Sequence, residues 1–130
     1  MANEGYLGRI TIDGERAATD GHPTLIDAVP LSADAVLPME PGCLLKRVEE
    51  KKDGVVVGYA YAPWAESDTD GPCAVVDKPC DPTGESAETS AIAVLHGTVK
   101  RRILKVGAGD GTPPGAVALQ KLAIAGIYPV

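Results

Sequence analysis

The hydrophobic positions of this chain change rhythm several times, and each change marks an element. Arg9-Ile10-Thr11-Ile12 alternates polar and apolar residues with β-branched side chains, the period of a strand. Asp13-Gly14 follows as a hairpin-type dipeptide, and Glu15-Arg16-Ala17-Ala18 can form the return. Prolines then recur at Pro23, Pro30, Pro38 and Pro41, each opposing helix and removing a backbone donor. A stretch so punctuated builds no core of its own. Residues 1–40 are therefore predicted to be an extended N-terminal arm, and residues 41–130 a β-rich domain.

From Gly42 onward the pattern is that of a folded body. Residues 43–48 read as a short strand, residues 49–53 as a charged loop, and Asp53-Gly54 as a turn. Residues 55–62 are the strongest strand, and their near-continuous apolarity predicts burial on both faces. Residues 65–89 form a polar surface loop, broken by a short strand at 73–76, and residues 91–95 form the next strand. Thr98 can cap a short helix that places Val99, Ile103 and Val106 on one face. A second helix is predicted over 114–125, with Ala118, Leu122 and their neighbours as its stripe and Gly126 as its stop. Residues 127–130 read as a strand that Pro129 confines to an edge. The predicted fold class is mainly β (α+β): a small mixed β-sandwich or barrel-like domain with one or two short helices.

Composition adds three constraints. The 130 residues suffice for one domain. With no Phe, one Trp and four Tyr, the core must come from Val, Ile, Leu and Ala, and so thin a core favours oligomerisation. Trp64 beside Pro63, together with Tyr61, packs either in the core or between subunits, and the pair is the candidate oligomer interface. The net charge is −6, and residues 1–40 hold seven acids against two bases. Such a chain is a poor ligand for nucleic acid, whose affinity comes from Lys and Arg. No apolar run is long enough to span a bilayer and no secretory signal is visible, so neither membrane nor export is expected. Cys43, Cys73 and Cys80 follow no disulfide scaffold and read as reduced thiols of a cytoplasmic product.

The motifs that would carry chemistry are incomplete. Gly107-Ala108-Gly109-Asp110-Gly111 lacks the Lys-Ser/Thr pair of a phosphate loop and runs into Pro113-Pro114. Asp68-Thr69-Asp70-Gly71 begins like a calcium loop but has Pro79 where the twelfth-position carboxylate belongs. The cysteines and His22 and His96 lack zinc-ligand spacing, and His96 at a strand end reads as a rim histidine. Lys100-Arg101-Arg102 with Lys105 reads as a solvated helix face or, in the alternative, a contact to an acidic partner surface. No catalytic residue, cofactor site or metal site is predicted, and the chain is expected not to be an enzyme.

From about Leu37 to Val130 the order of features resembles the lambda-type phage head decoration proteins. The segments that carry this are Pro41-Gly42-Cys43-Leu44-Leu45, Asp53-Gly54 with Val55-Val56-Val57-Gly58-Tyr59-Ala60, and Val94-Leu95-His96-Gly97-Thr98-Val99 with Ile103-Leu104. Ala118 to Val130, with Ala125-Gly126-Ile127, completes them. The chain departs from that pattern in its acidic loop at 65–89 and its glycine-rich insert at 107–115. The resemblance implies a viral structural protein: a homotrimeric cementing subunit on the outer capsid surface of the virion, made in the host cytoplasm, that binds the major capsid (coat) protein and stabilises the expanded phage head. It also implies an N-terminal arm that adds as a strand to coat-protein segments. In this sequence Tyr6, Leu7, Arg9, Ile10, Thr11 and Ile12 are the residues placed to do so. The competing expectation is another phage structural or binding β module, a tail, baseplate or adhesin component.

Overall fold

In the computed structural model, residues 16–19 and 23–130 are described. The elements are β1 (Leu25–Pro30), β2 (Leu44–Lys52), β3 (Val55–Pro63), β4 (Ala74–Val76) and β5 (Ser90–Val99), then a 3-10 turn (Arg101–Ile103), α1 (Ala116–Ile124) and β6 (Ile127–Pro129). The protein is mainly β. The strands form one sheet in the order β1-β5-β4-β2-β3, with antiparallel neighbours, and β6 adds to β5 in parallel. Leu31 bridges to Tyr61, and the Ser32 amide donates to the Tyr61 carbonyl at 2.8 Å. The two outer strands of the path thereby meet, and the sheet curls back on itself.

Alternate residues of a strand point to opposite faces, and the central strands use both. Leu44, Val75 and Val94 enter one core with Trp64, Val99, Leu104, Val106, Ala118, Leu122 and Ile127. Leu45, Ala74, Val76, Ala91 and Ala93 enter a second core with Val29, Ala35, Met39, Cys43 and Cys80. Two thin cores share one sheet. This is why a chain of small aliphatic residues can bury Ala74-Val75-Val76 completely.

Four sequence expectations change here: the charged stretch 49–53, expected as a loop, is strand as far as Lys52, and three others follow. Of the arm predicted over 1–40, residues 25–30 pair along β5, and Val29, Ala35 and Met39 are buried. A proline-rich segment that makes no core alone can still supply an edge strand, so the body extends well before residue 41. The helix expected from Thr98 is replaced by the end of β5 and a single 3-10 turn. Backbone groups there are taken by β6 and the chain end: the Gly97 amide donates to the Gly126 carbonyl at 3.0 Å, and the Val130 amide to Val99 at 2.9 Å. Val99 and Val106 reach the core from extended chain instead. Finally, Val55 and Val57 are 64% and 65% exposed rather than buried on both faces. β4 pairs β2 only at Leu44 and Leu45, so the far half of the β2–β3 hairpin extends beyond its neighbour.

Other local signals hold. Asp53 and Gly54 both have positive φ (53° and 79°) between the paired Lys52 and Val55, the two-residue turn that matches strand twist. The helix predicted over 114–125 is α1, which buries Ala118 and Leu122 and is followed by Gly126 at φ 95°. β6 is paired only through β5, the edge position Pro129 requires.

Gly42 has φ 99°, and a Cβ there would drive into the Ile103 carbonyl. Gly42→Ala is expected to cost about 2–4 kcal/mol of stability, through strain and steric overlap together. Gly58 faces open space at the exposed hairpin, so Gly58→Ala is the matched control. Urea unfolding of both variants checks the pair, and equal midpoints would refute the close approach.

Candidate functional site

The expected docking residues Tyr6, Leu7, Arg9, Ile10, Thr11 and Ile12 lie outside the described residues, as does His22. Arg16 to Thr19 are described, and they lie on the body. Ala18 bridges antiparallel to Val99, the Lys100 amide donates to the Ala17 carbonyl at 2.9 Å, and the Thr19 amide to Thr98 at 3.1 Å. The Thr19 and Thr98 hydroxyls share a hydrogen bond. Ala17 is fully buried in the first core.

The charge holding this segment is Asp77, which directly follows β4 and is completely buried. One carboxylate oxygen accepts from Arg16 Nε at 2.8 Å and from a terminal guanidinium nitrogen, and the other accepts from the Ala18 amide at 2.9 Å. A buried carboxylate is tolerated only when paired and hydrogen-bonded, and both kinds of partner here come from residues 16–18. Sequence reading missed this pair. Its one local signal is an Asp set directly after the fully apolar Ala74-Val75-Val76.

The proposed oligomer-interface residues part company. Trp64 is 2% exposed; its indole Nε1 donates to the Asp70 carbonyl at 2.7 Å and its ring fills the first core. It has no surface to offer a second subunit, which corrects that expectation. The residue failed as a surface marker because one Trp in a Phe-free chain is worth more as core volume than as a contact. Tyr61 is half-buried against the second core. Burial raises its phenol pKa, Cys73 adds to this, and Arg47 opposes it.

Exposed apolar side chains lie elsewhere, on several elements: Val36, Leu37, Val117 and Ile124 are among them, and a group sits on one hairpin. Val55, Val56, Val57 and Tyr59 are open to solvent on the β2–β3 hairpin, and the Arg47 guanidinium sits 4.5 Å from the Tyr59 ring centroid. β3 is the last strand of the sheet path, so its backbone edge at these residues faces outward. An irregularity at Glu50/Lys51 leaves Val57 without a partner in the ladder. On the open face beside the hairpin, a depression of about 420 Å³ is lined by Lys46, Arg47, Glu49, Tyr59, Asp68 and Cys73. Lys46 pairs with Asp68 at 3.0 Å there, so the depression carries compensated charge.

The segments examined for chemistry have structural uses. Asp68 accepts from the Ala65 amide at 2.8 Å and from Lys46; the Ala65 bond is the main reason its carboxyl pKa falls below the ordinary value. In the glycine-rich loop the Gly109 amide donates to Pro38 at 3.1 Å, and the Gly107 carbonyl accepts from the Cys43 thiol at 3.5 Å. His96 is on the surface, edge-to-face with Tyr128 at 6.2 Å. Among the described residues no cluster of three or more His, Cys, Asp or Glu side chains could hold a metal ion, and no helix is long and apolar enough to cross a membrane. No family model matches the chain, and no curated protein or solved structure matches it.

The three thiols are unpaired, and burial raises the pKa of each. Cys43 goes from an ordinary 9.0 to about 12 and Cys80 to about 11. Below 9.0 the thiol is neutral in both the folded and unfolded chain. Above it only the unfolded chain ionises, so stability should fall as pH rises from 9.0 towards about 12. One such thiol contributes a slope of up to about 1.4 kcal/mol per pH unit in that window. Cys43→Ala is expected to flatten the decline measured by urea unfolding at several pH values, and an unchanged slope would refute the assignment.

Proposed function

We propose that this protein is a non-enzymatic capsid decoration subunit, a cementing protein that binds the outer surface of an expanded phage head and stabilises it. The observation that carries the reading is the order of the four segments resembling that family. They fall on the start and tip of the β2–β3 hairpin, on β5 with the turn after it, and on α1 with β6. These are four of the six described strands and the helix, so the resemblance concerns elements of the sheet rather than scattered surface residues.

In this reading residues 6–12 supply the docking strand. Strand addition to a coat-protein sheet takes affinity from main-chain hydrogen bonds and specificity from alternate side chains, here Ile10 and Ile12 on one side and Thr11 on the other. Ordering such a segment costs about 1–2 kcal/mol per residue in backbone entropy, so one arm is a weak tether. Several arms on one oligomer bind with avidity, and bridging adjacent coat subunits stabilises the assembled shell by mass action. The partners are then the major capsid protein and further copies of this chain. The subunit contact is assigned to Val55, Val57 and Tyr59, because an open strand edge carrying apolar side chains invites association unless it is covered.

The decisive experiment uses expanded heads lacking this chain. The full-length protein is expected to saturate them and to raise the temperature at which they release DNA. Deleting residues 2–15 should abolish saturable binding yet leave the fold intact, because the deletion spares the Arg16–Asp77 pair and the core residues named above. Full-length protein that ignores the heads would refute the function, and a truncated form that binds equally well would refute the arm. Val55→Lys with Val57→Lys is expected to shift the assembled protein to monomer in sedimentation while changing monomer stability by no more than about 0.5 kcal/mol. Unchanged assembly in that variant would move the subunit contact elsewhere.

A further inference from the structure

The segment Arg16–Thr19 lies along the end of β5 in line with β1. Both are antiparallel to β5, Ala18 opposite Val99 and Leu25 opposite His96. Gly97 lies between these two contacts; its φ is 123°, and its missing Cβ leaves room for Thr24. Arg16–Thr19 is thus an extra piece of strand joined to the sheet at its own end. Its hold has two parts. The backbone part is ordinary ladder bonding to Thr98 and Lys100. The other part is Asp77, completely buried, whose side chain takes the Arg16 guanidinium and the Ala18 amide. Lifting the segment would strip a buried carboxylate of all three of these donor contacts at once.

We infer that Arg16–Thr19, closed on Asp77, is a latch: the joint that couples the leading residues to the body. The inference rests on the docking role given above for residues 6–12. It adds that the hold on a shell depends on a residue 61 positions further along the chain, which touches no partner itself. With the latch closed, the docking strand is joined to a rigid body by a few residues. With it open, everything up to β1 becomes slack tether. Effective concentration falls as a flexible connection lengthens beyond the span it must bridge, so an open latch weakens the avidity of every arm.

Two measurements need no shell. In the wild-type protein the amides of Ala18, Thr19 and Lys100 are expected to exchange with solvent deuterium on the order of a hundredfold more slowly than in an unstructured peptide. Trypsin scission after Arg16 reads the same opening, because cleavage of a closed segment tracks the population of its open form. Asp77→Asn keeps the shape and removes the charge, and is expected to speed that scission by about tenfold or more. Unprotected amides in the wild type would overturn the latch, as would a folded Asp77→Asn protein cut at the wild-type rate. The exchange measurement decides the matter if that variant fails to fold. The shell arm uses Asp77→Asn with residues 1–15 intact: its release from expanded heads should be several-fold faster than that of the wild type. Equal release rates in a folded variant would overturn the coupling. Wild-type protein that binds no heads would instead refute the proposed function, leaving the latch to be judged by exchange and proteolysis.

Discussion

A sheet whose central strands bury small side chains on both faces must be covered on both faces, and in this protein the strand around which that cover is arranged is β5. Its alternating Ala and Val side chains feed two separate cores, and its backbone is paired on one side by β1 and on the other by β4 and then β6. Each remaining part of the fold can be understood as cover for one of those faces. α1, Trp64 and the buried Ala17 close the first. The chain from Val29 to Met39, with Cys43 and Cys80, closes the second. A body without Phe has no large ring with which to thicken a single core, and dividing the small residues between two faces achieves burial by area rather than depth.

Much of this was legible in the sequence. The strands around Leu44, Val55, Val75 and Ala91, and the helix ending at Gly126, were readable because each is announced by local chemistry: β-branched runs, a two-residue Asp-Gly turn, a glycine after the apolar stripe. What could not be read was decided at a distance. Leu25–Pro30 has a strand's length but no clean alternation, and it becomes a strand only because β5 offers an edge. Val99, Ile103 and Val106 have helical spacing, yet pairing with β6 outbids one more helical turn. The valines at 55–57 look like core and are surface, because β4 ends too soon to accompany them.

The candidate site divides in the same way. The residues 10–12 expected to dock lie outside the described residues, whereas the pair that holds Arg16–Thr19 to the body could not be read from the sequence. Asp77 and Arg16 are far apart in sequence, and each looks like an ordinary surface charge until the fold brings them together. A buried ion pair of this kind adds little net stability over a well-packed apolar substitute, but it is intolerant of losing one member. Its value lies in specificity: among the ways a short Ala-rich segment could lie against the sheet, only the register that delivers Arg16 to Asp77 is permitted.

The pairing of β5 has a consequence for how the molecule comes into being. Its partners are drawn from residue 18 at one extreme and residues 127–129 at the other, so the sheet is assembled from sequence-distant pieces. During synthesis the ribosome releases β1 long before β5 exists to receive it, and β5 before β6 can flank it. The nascent chain therefore holds unpaired strand edges until β6 has been made, and topologies of this kind condense slowly. The acidic character of the first forty residues would then act as a solubilising charge during that interval, keeping crowded neighbouring copies apart until each has closed its own sheet.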